Sequence, residues 1–191
     1  DAGLFSGRIA VNLSPVDLKR PALEKVVAKI LADAGIEPQR LELEVTEGMI
    51  MGEIEVAVQT LESIHNLGAS IAIDNFGTGY SSLAYLRRFP VDVLKIDRSF
   101  VRDMVVNADD AAITQAIINI GHTLGLRVVA EGVDTADQLQ HLRECRCDEI
   151  QGYFISRPQP VTEMTKYLEA LQEEAAPVPF PLTERSGEAC G

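Results

Sequence analysis

Six short apolar runs punctuate the chain, and each is followed by a longer stretch with apolar residues at helical spacing. The first run, RIAVNLS over Arg8–Ser14, leads into a stretch from Asp17 to Gly35 that carries Leu18, Leu23, Val26, Val27, Ile30 and Leu31. That spacing predicts one helix, stopped at Gly35. LELEVTE (Leu41–Glu47) comes next, ahead of a helix from Glu53 to Asn66 that ends at Gly68. SIAIDNFG (Ser70–Gly77) precedes a helical turn or two around Ser81–Arg88, closed by Pro90. VLKID (Val93–Asp97) is followed by a helix from Asp109 to Leu124, and RVVAEGV (Arg127–Val133) by one from Thr135 to Cys145. EIQGYF (Glu149–Phe154) leads through Arg157 and Pro158 to a last helix, Val161 to Glu173.

Strand-then-helix alternation with mostly apolar strands predicts a parallel sheet covered by helices. A closed barrel and an open doubly wound sheet both satisfy it. The polar interruptions separate the two: Asn12, Glu44, Asp74, Lys95, Glu131 and Gln151 each fall at or near the carboxyl end of a successive strand. An open sheet concentrates ligand contacts at the switch point of a few strands. A barrel gathers residues from every strand end around one mouth. The expected fold is therefore α/β, a TIM-like (β/α) barrel. Six units fall short of the usual eight strands in about 250 residues, so the barrel is expected to be incomplete on its amino-terminal side. The expected domain is residues 1–175. The proline-rich, aperiodic segment 176–191 is expected to be a disordered tail.

A length of 191 residues, 46% of them hydrophobic, is enough to bury a core. The chain starts at Asp1 without an initiator Met and reads as part of something longer. No stretch reads as a signal peptide or reaches the roughly 20 apolar residues of a spanning helix. The net charge of −12 argues against a nucleic-acid polymer as partner, because neutralising phosphates takes clustered Lys and Arg. Cys145 and Cys147 form a C-x-C without a second Cys/His pair, which argues against zinc and suits reduced cytoplasmic thiols.

Asn12, Glu44, Asp74 and Glu131 offer only oxygen donors, which suit Mg²⁺, Mn²⁺ or Ca²⁺. Crowded carboxylates would repel one another unless cations compensated them, and Lys95 adds a positive charge to the same ring. A single strand-end acid is usually solvated or salt-bridged; six consecutive strands placing a polar residue at one end is the collective signal. The pattern alone indicates metal-assisted chemistry on an anionic or polar substrate.

The stretches DNFGTGYSSLAYL (Asp74–Leu86) and LKIDRSFV (Leu94–Val101) resemble the EAL family of cyclic di-GMP phosphodiesterases. VNLS (Val11–Ser14), ELEVTE (Glu42–Glu47), AEGVD (Ala130–Asp134) and QGYFISRP (Gln151–Pro158) extend the resemblance in the family's order. The resemblance implies a modified barrel that hydrolyses cyclic di-GMP to linear pGpG with Mg²⁺ or Mn²⁺ at a two-metal site. It assigns metal coordination to Asn12, Glu44, Asp74, Asn75 and Glu131, with Asp74 bridging the ions. Lys95 would position the attacking water. Glu47 would steady a loop beside the site, and Asp134, in place of the family's Glu, would do the same. Gln151, Arg157 and Pro158 would lie on the substrate side, while Asp97 is either a supporting residue or a structural ion pair. The resemblance further implies a cytoplasmic domain following GGDEF or sensory domains, with pairing through barrel helices.

Two departures matter. Asn75 stands where the family's motif has a second Asp, so a second cation should bind more weakly. The E-A-L signature of the first strand is missing, which is expected to reflect a missing strand. Unpaired edges would then favour association, and the 191-residue piece alone is expected to be inactive or nearly so. A degenerate, non-catalytic receptor for cyclic di-GMP is the alternative that Asn75 favours.

Overall fold

The computed structural model describes residues 7–52, 54–79 and 86–174. Its elements alternate along the chain: β1 (Ile9–Asn12), α1 (Pro15–Leu18), α2 (Leu23–Ala34), β2 (Leu41–Thr46), α3 (Glu47–Gly52) and α4 (Ile54–His65). These lead to β3 (Ser70–Phe76), β4 (Val93–Ile96), α5 (Arg98–Asp103), α6 (Ala108–Thr123) and β5 (Arg127–Glu131), then α7 (Ala136–Glu144), β6 (Glu149–Gln151) and α8 (Val161–Glu174).

Among the described residues all six strands are parallel and neighbour one another in chain order, so strand order nowhere reverses. The open doubly wound alternative requires such a reversal. Strand alternation gives the sheet two unlike faces. On one, Leu43, Val45, Ile71, Ile73, Leu94, Ile96, Val128 and Ala130 join the helices' Leu61, Ile64, Val101, Ile118 and Leu142 in the main core. On the other, Ala72, Val93 and Val129 form a small cluster of their own. The second face is concave. Arg127 of β5 reaches Glu42 of β2 at 3.1 Å across two intervening strands, and also pairs with Glu149 of β6. A cavity of about 680 Å³ runs along this face, lined by Ala10, Glu42, Glu44, Lys95, Val129 and Gln151 among others. The fold is a curled, six-stranded parallel half-barrel with helices outside. Among the described residues its edges are open: all four residues of β1 are exposed, as are Glu149 and Gln151 of β6.

The single helix expected over 17–35 is two helices. Ser14 caps α1 by accepting from the Asp17 N–H at 3.1 Å, and Pro15 follows at a first-turn position that tolerates proline. Pro21 then stops the helix, having no N–H to give and a ring that clashes with the preceding turn, and the chain restarts from Ala22 in the left-handed region (φ 56°). Glu47, read as the end of a strand, opens α3, and α5, too short for periodicity to reveal, follows Asp97. The strand-like reading of EIQGYF shrinks to Glu149–Gln151. Most of the turn expected at 81–88 and the tail expected over 176–191 lie outside the described residues.

Candidate active site

Every strand end of the concave face contributes a polar side chain. Lys95, on β4, is 3% exposed, and its ammonium lies 2.5 Å from Glu44 Oε1 on β2 and 2.5 Å from Glu131 Oε1 on β5. One buried cation thus ties together strands that flank it on both sides. Burial alone would pull the Lys95 pKa down, but the hydrogen bonds and charges of Glu131 and Glu44 outweigh it and hold the pKa above the ordinary lysine value. Burial pushes the Glu131 carboxyl up, against the pull of Lys95.

Asp74, half-buried at the end of β3, is also pushed up by burial, with Lys95 pulling it down and Glu44 and Asp97 adding to the rise. Strand register between β3 and β4 shifts between Ile73 and Phe76, so the site sits on a local bulge, which re-aims side chains at a strand end. Asn75 is the residue that turns: it is left-handed (φ 55°), a conformation that Asn tolerates better than most. Its N–H donates to Asp74 Oδ1 at 2.8 Å and its Nδ2 to Asp74 Oδ2 at 3.2 Å.

Asn12 ends β1 in register with Glu44, exposed, and Gln151 ends β6 in register with Glu131. Glu47, 6% exposed at the start of α3, accepts weakly from the Gly77 N–H at 3.4 Å. Its Oε1 is buried without a hydrogen-bond partner among the described residues, and a Cβ on Gly79 would lie 2.8 Å from that oxygen. The carboxylate therefore sits directly against the loop after β3. Asp134 accepts from the Tyr153 N–H at 3.1 Å, linking the turns after β5 and β6. Arg157 lies over the Tyr153 ring, 4.5 Å from its centroid, on the exposed arm that also holds Pro158. Asp97 makes no salt bridge among the described residues; it caps α5 by accepting from the Ser99 N–H at 2.8 Å.

Glu44, Asp74, Lys95 and Glu131 are thus brought together, with Asn12, Asn75 and Gln151 on neighbouring strand ends. Arg157 and Pro158 stand further out. The strand-end oxygen donors fit a hard divalent cation by chemistry: the carboxylates of Glu44, Asp74 and Glu131 around a positive charge, with the neutral amide oxygens of Asn12 and Asn75 at the rim. Among the described residues no three His, Cys, Asp or Glu side chains form a metal cage by themselves, so Asn12, Asn75 or a ligand oxygen would have to complete the shell. Sequence reading missed the Glu42–Arg127–Glu149 bridge below the site, although Glu42 lies two positions before Glu44 and therefore on the same face. The Tyr153–Arg157 stack and the side-chain bonds of Gln138 were missed too; T-x-x-Q at Thr135–Gln138 was the available signal for the latter.

A curled parallel wall with acidic strand ends around one lysine defines a half-barrel of the TIM-like class, with its site at the carboxyl ends of the strands. Residues 3–158 match the sequence profile of the EAL domain family, and the chain belongs to that family. It is 48% identical over 170 residues to the cyclic di-GMP phosphodiesterase NbdA of Pseudomonas aeruginosa, covering 89% of this chain and 22% of that protein. It is 42% identical over 164 residues to the bifunctional diguanylate cyclase/cyclic di-GMP phosphodiesterase MucR of the same organism, covering 86% of this chain and 24% of MucR. The solved PaMucR phosphodiesterase in complex with c-di-GMP superposes with a TM-score of 0.79 at 43% identity, over 82% of this chain and 64% of that one. BlrP1 of Klebsiella pneumoniae, solved as a manganese/cy-diGMP complex, gives a TM-score of 0.74 at 34% identity, over 79% of this chain and 39% of that one. This chain therefore spans less than a quarter of the length of the two full-length Pseudomonas relatives. Its one E-A-L triplet, Glu169–Leu171, lies exposed on α8 and is not a strand-borne signature.

Proposed function

We propose that this domain is a metal-dependent phosphodiesterase that hydrolyses cyclic di-GMP to pGpG in bacterial second-messenger signalling. The observation that carries the reading is the buried Lys95 ammonium held by Glu44 and Glu131 beside Asp74. Relatives named as cyclic di-GMP phosphodiesterases support it, as does BlrP1, solved as a manganese/cy-diGMP complex. Glu44, Asp74 and Glu131, with Asn12 and Asn75 at the rim, would hold Mg²⁺ or Mn²⁺. When bound, such ions would lower the pKa of a coordinated water and stabilise charge on the phosphoryl oxygens.

The chain's own residues supply the rest. An ammonium has three donors; Glu44 and Glu131 take two of Lys95's, leaving one to orient a water. That water's oxygen bonds to phosphorus while the bond to the ribose 3′ oxygen breaks and the 3′ oxygen takes up a proton. Gln151 and the Tyr153–Arg157 arm, with Pro158, flank the substrate. Glu47 and Asp134 fix the loops beside it. Chromatography of cyclic di-GMP incubated with the longer protein carrying this domain, in Mn²⁺ and in EDTA, tests the reading. We expect pGpG only with the cation, and Glu44→Ala or Asp74→Ala to leave less than about 1% of turnover, the scale of loss when a transition-state electrostatic group is removed. Turnover in either variant above a few per cent of wild type contradicts the assigned roles.

The open edges of β1 and β6 favour association over a closed barrel, so the 191-residue chain alone should hydrolyse little. We further place the domain in the cytoplasm, downstream of a GGDEF or sensory module, and expect it to pair with a second copy through its helices. Among the described residues no helix is long and apolar enough to cross a membrane. One observation favours a second reading, a non-catalytic cyclic di-GMP receptor: Asn75, which already spends its side-chain N–H on Asp74, leaves one carboxylate fewer for a cation. Saturable binding in calorimetry, with no pGpG at any cation concentration, selects the receptor.

A further inference from the structure

Gln138 is among the few buried polar residues, at 5% exposure, and it lies away from the carboxylates. It is the third residue of α7 and forms a reciprocal capping box with Thr135: the Gln138 N–H donates to Thr135 Oγ1 at 3.2 Å, and the Thr135 N–H donates to Gln138 Oε1 at 3.0 Å. A cap needs no more than that. Gln138 does more with both ends of its amide. Oε1 also accepts from the Asp134 N–H at 2.7 Å, and Nε2 donates to the carbonyls of Val101 at 3.2 Å and Arg102 at 3.0 Å, in α5.

These bonds join two parts of the site. Helix α5 is capped by Asp97, two residues past Lys95. The turn after β5 starts from Glu131 and carries Asp134, which holds the Tyr153 N–H. The same turn is zipped to the one after β6: the Val133 N–H donates to the Gln151 carbonyl at 3.1 Å, and the Phe154 N–H to the Val133 carbonyl at 3.0 Å. Gly152 lies flat on Val133, where a Cβ would stand 2.1 Å from the Val133 carbonyl oxygen. The turns after β5 and β6 therefore form one body, and the amide of Gln138 ties that body to α5.

The geometry points to Gln138 as a positioning residue that sets the substrate arm Gln151–Tyr153–Arg157 against the Lys95–Glu131 pair. Glu at this position would keep the cap, which accepts Glu or Gln, but would lose both donors and turn a carboxylate oxygen toward two carbonyls. The inference rests on the phosphodiesterase reading for its kinetic arm only.

The test compares Gln138→Glu with Thr135→Ala, which weakens the cap and leaves the α5 link in place. Hydrogen exchange of the chain without substrate is read at the Tyr153 and Phe154 amides, and cyclic di-GMP kinetics are measured in the longer protein. We expect Gln138→Glu to lose at least about tenfold in Tyr153 protection and, with the arm displaced, about tenfold in kcat with a smaller change in KM. Thr135→Ala should stay within about twofold of wild type in both, whatever its loss in Tm. Asp134→Ala added to Gln138→Glu should cost little more than either change alone, as for two members of one linkage. Unchanged Tyr153 protection in Gln138→Glu overturns the inference, as does equal loss in Thr135→Ala. If wild type makes no pGpG, the phosphodiesterase reading fails while the exchange result still decides this one.

Discussion

At Lys95 the ion pair is buried on both sides, with side-chain exposures of 4% for Lys95, 8% for Glu44 and 19% for Glu131. Removing one partner of such a pair strands the others without water, which typically costs roughly 3–5 kcal/mol. Lys95→Ala should therefore lower unfolding free energy by about 3 kcal/mol in cation-free buffer, read by urea denaturation; an unchanged midpoint would mean that the pair does not hold the strand ends together. A second residue gives a pH test away from the site. Burial pushes the Cys147 thiol up from 9.0 to about 12, with its single S–H shared between the carbonyls of Val128 and Glu149. The folded chain then keeps a proton that the unfolded chain releases, so this stabilisation is complete below pH 9 and lost as pH rises toward 12. Relative to Cys147→Ala, wild type should lose roughly 1–2 kcal/mol between pH 8 and about pH 10.5, and urea curves at the two pH values check it. A parallel pH dependence of the two proteins would contradict it.

Among the elements, the long apolar helices were legible because they carry periodicity over several turns: α4, α6 and α7 begin and end within two residues of their predicted bounds. Short helices carry too few positions for a period, which is why α1, α3 and α5 were not seen separately. Punctuation would have helped: Pro21 marks the break that apolar spacing from Leu18 to Leu31 bridges over. At that break Ala22 restarts the chain at φ 56°, where an L-residue pays a steric penalty and glycine pays none. Ala22→Gly should thus be neutral to stabilising, by up to about 1 kcal/mol in urea unfolding, once glycine's greater unfolded-state entropy is offset. Destabilisation by that amount would show that the left-handed turn is not populated.

Over the whole molecule, the parallel pairing of the strands follows from alternation, but their order and curl do not, since an open doubly wound sheet shows the same alternation. The polar positions decided it. Glu44, Asp74 and Glu131 lie at or near strand ends that a curled sheet brings around Lys95, with Asn12 and Gln151 ending the edge strands, and the face they share was readable from the two-residue period. What sequence could not show is which charges meet: Lys95 pairs with Glu44 across 51 residues and Arg127 with Glu42 across 85, and no local pattern encodes such distances. The same remoteness hid Gln138, whose partners in α5 lie 36 and 37 residues away. Whether the strand-end oxygens share a divalent ion is read directly by anomalous diffraction at the manganese edge from crystals grown with Mn²⁺ and cyclic di-GMP. A peak is expected among the side-chain oxygens of Asn12, Glu44, Asp74 and Glu131; density without any peak there would contradict a shared ion.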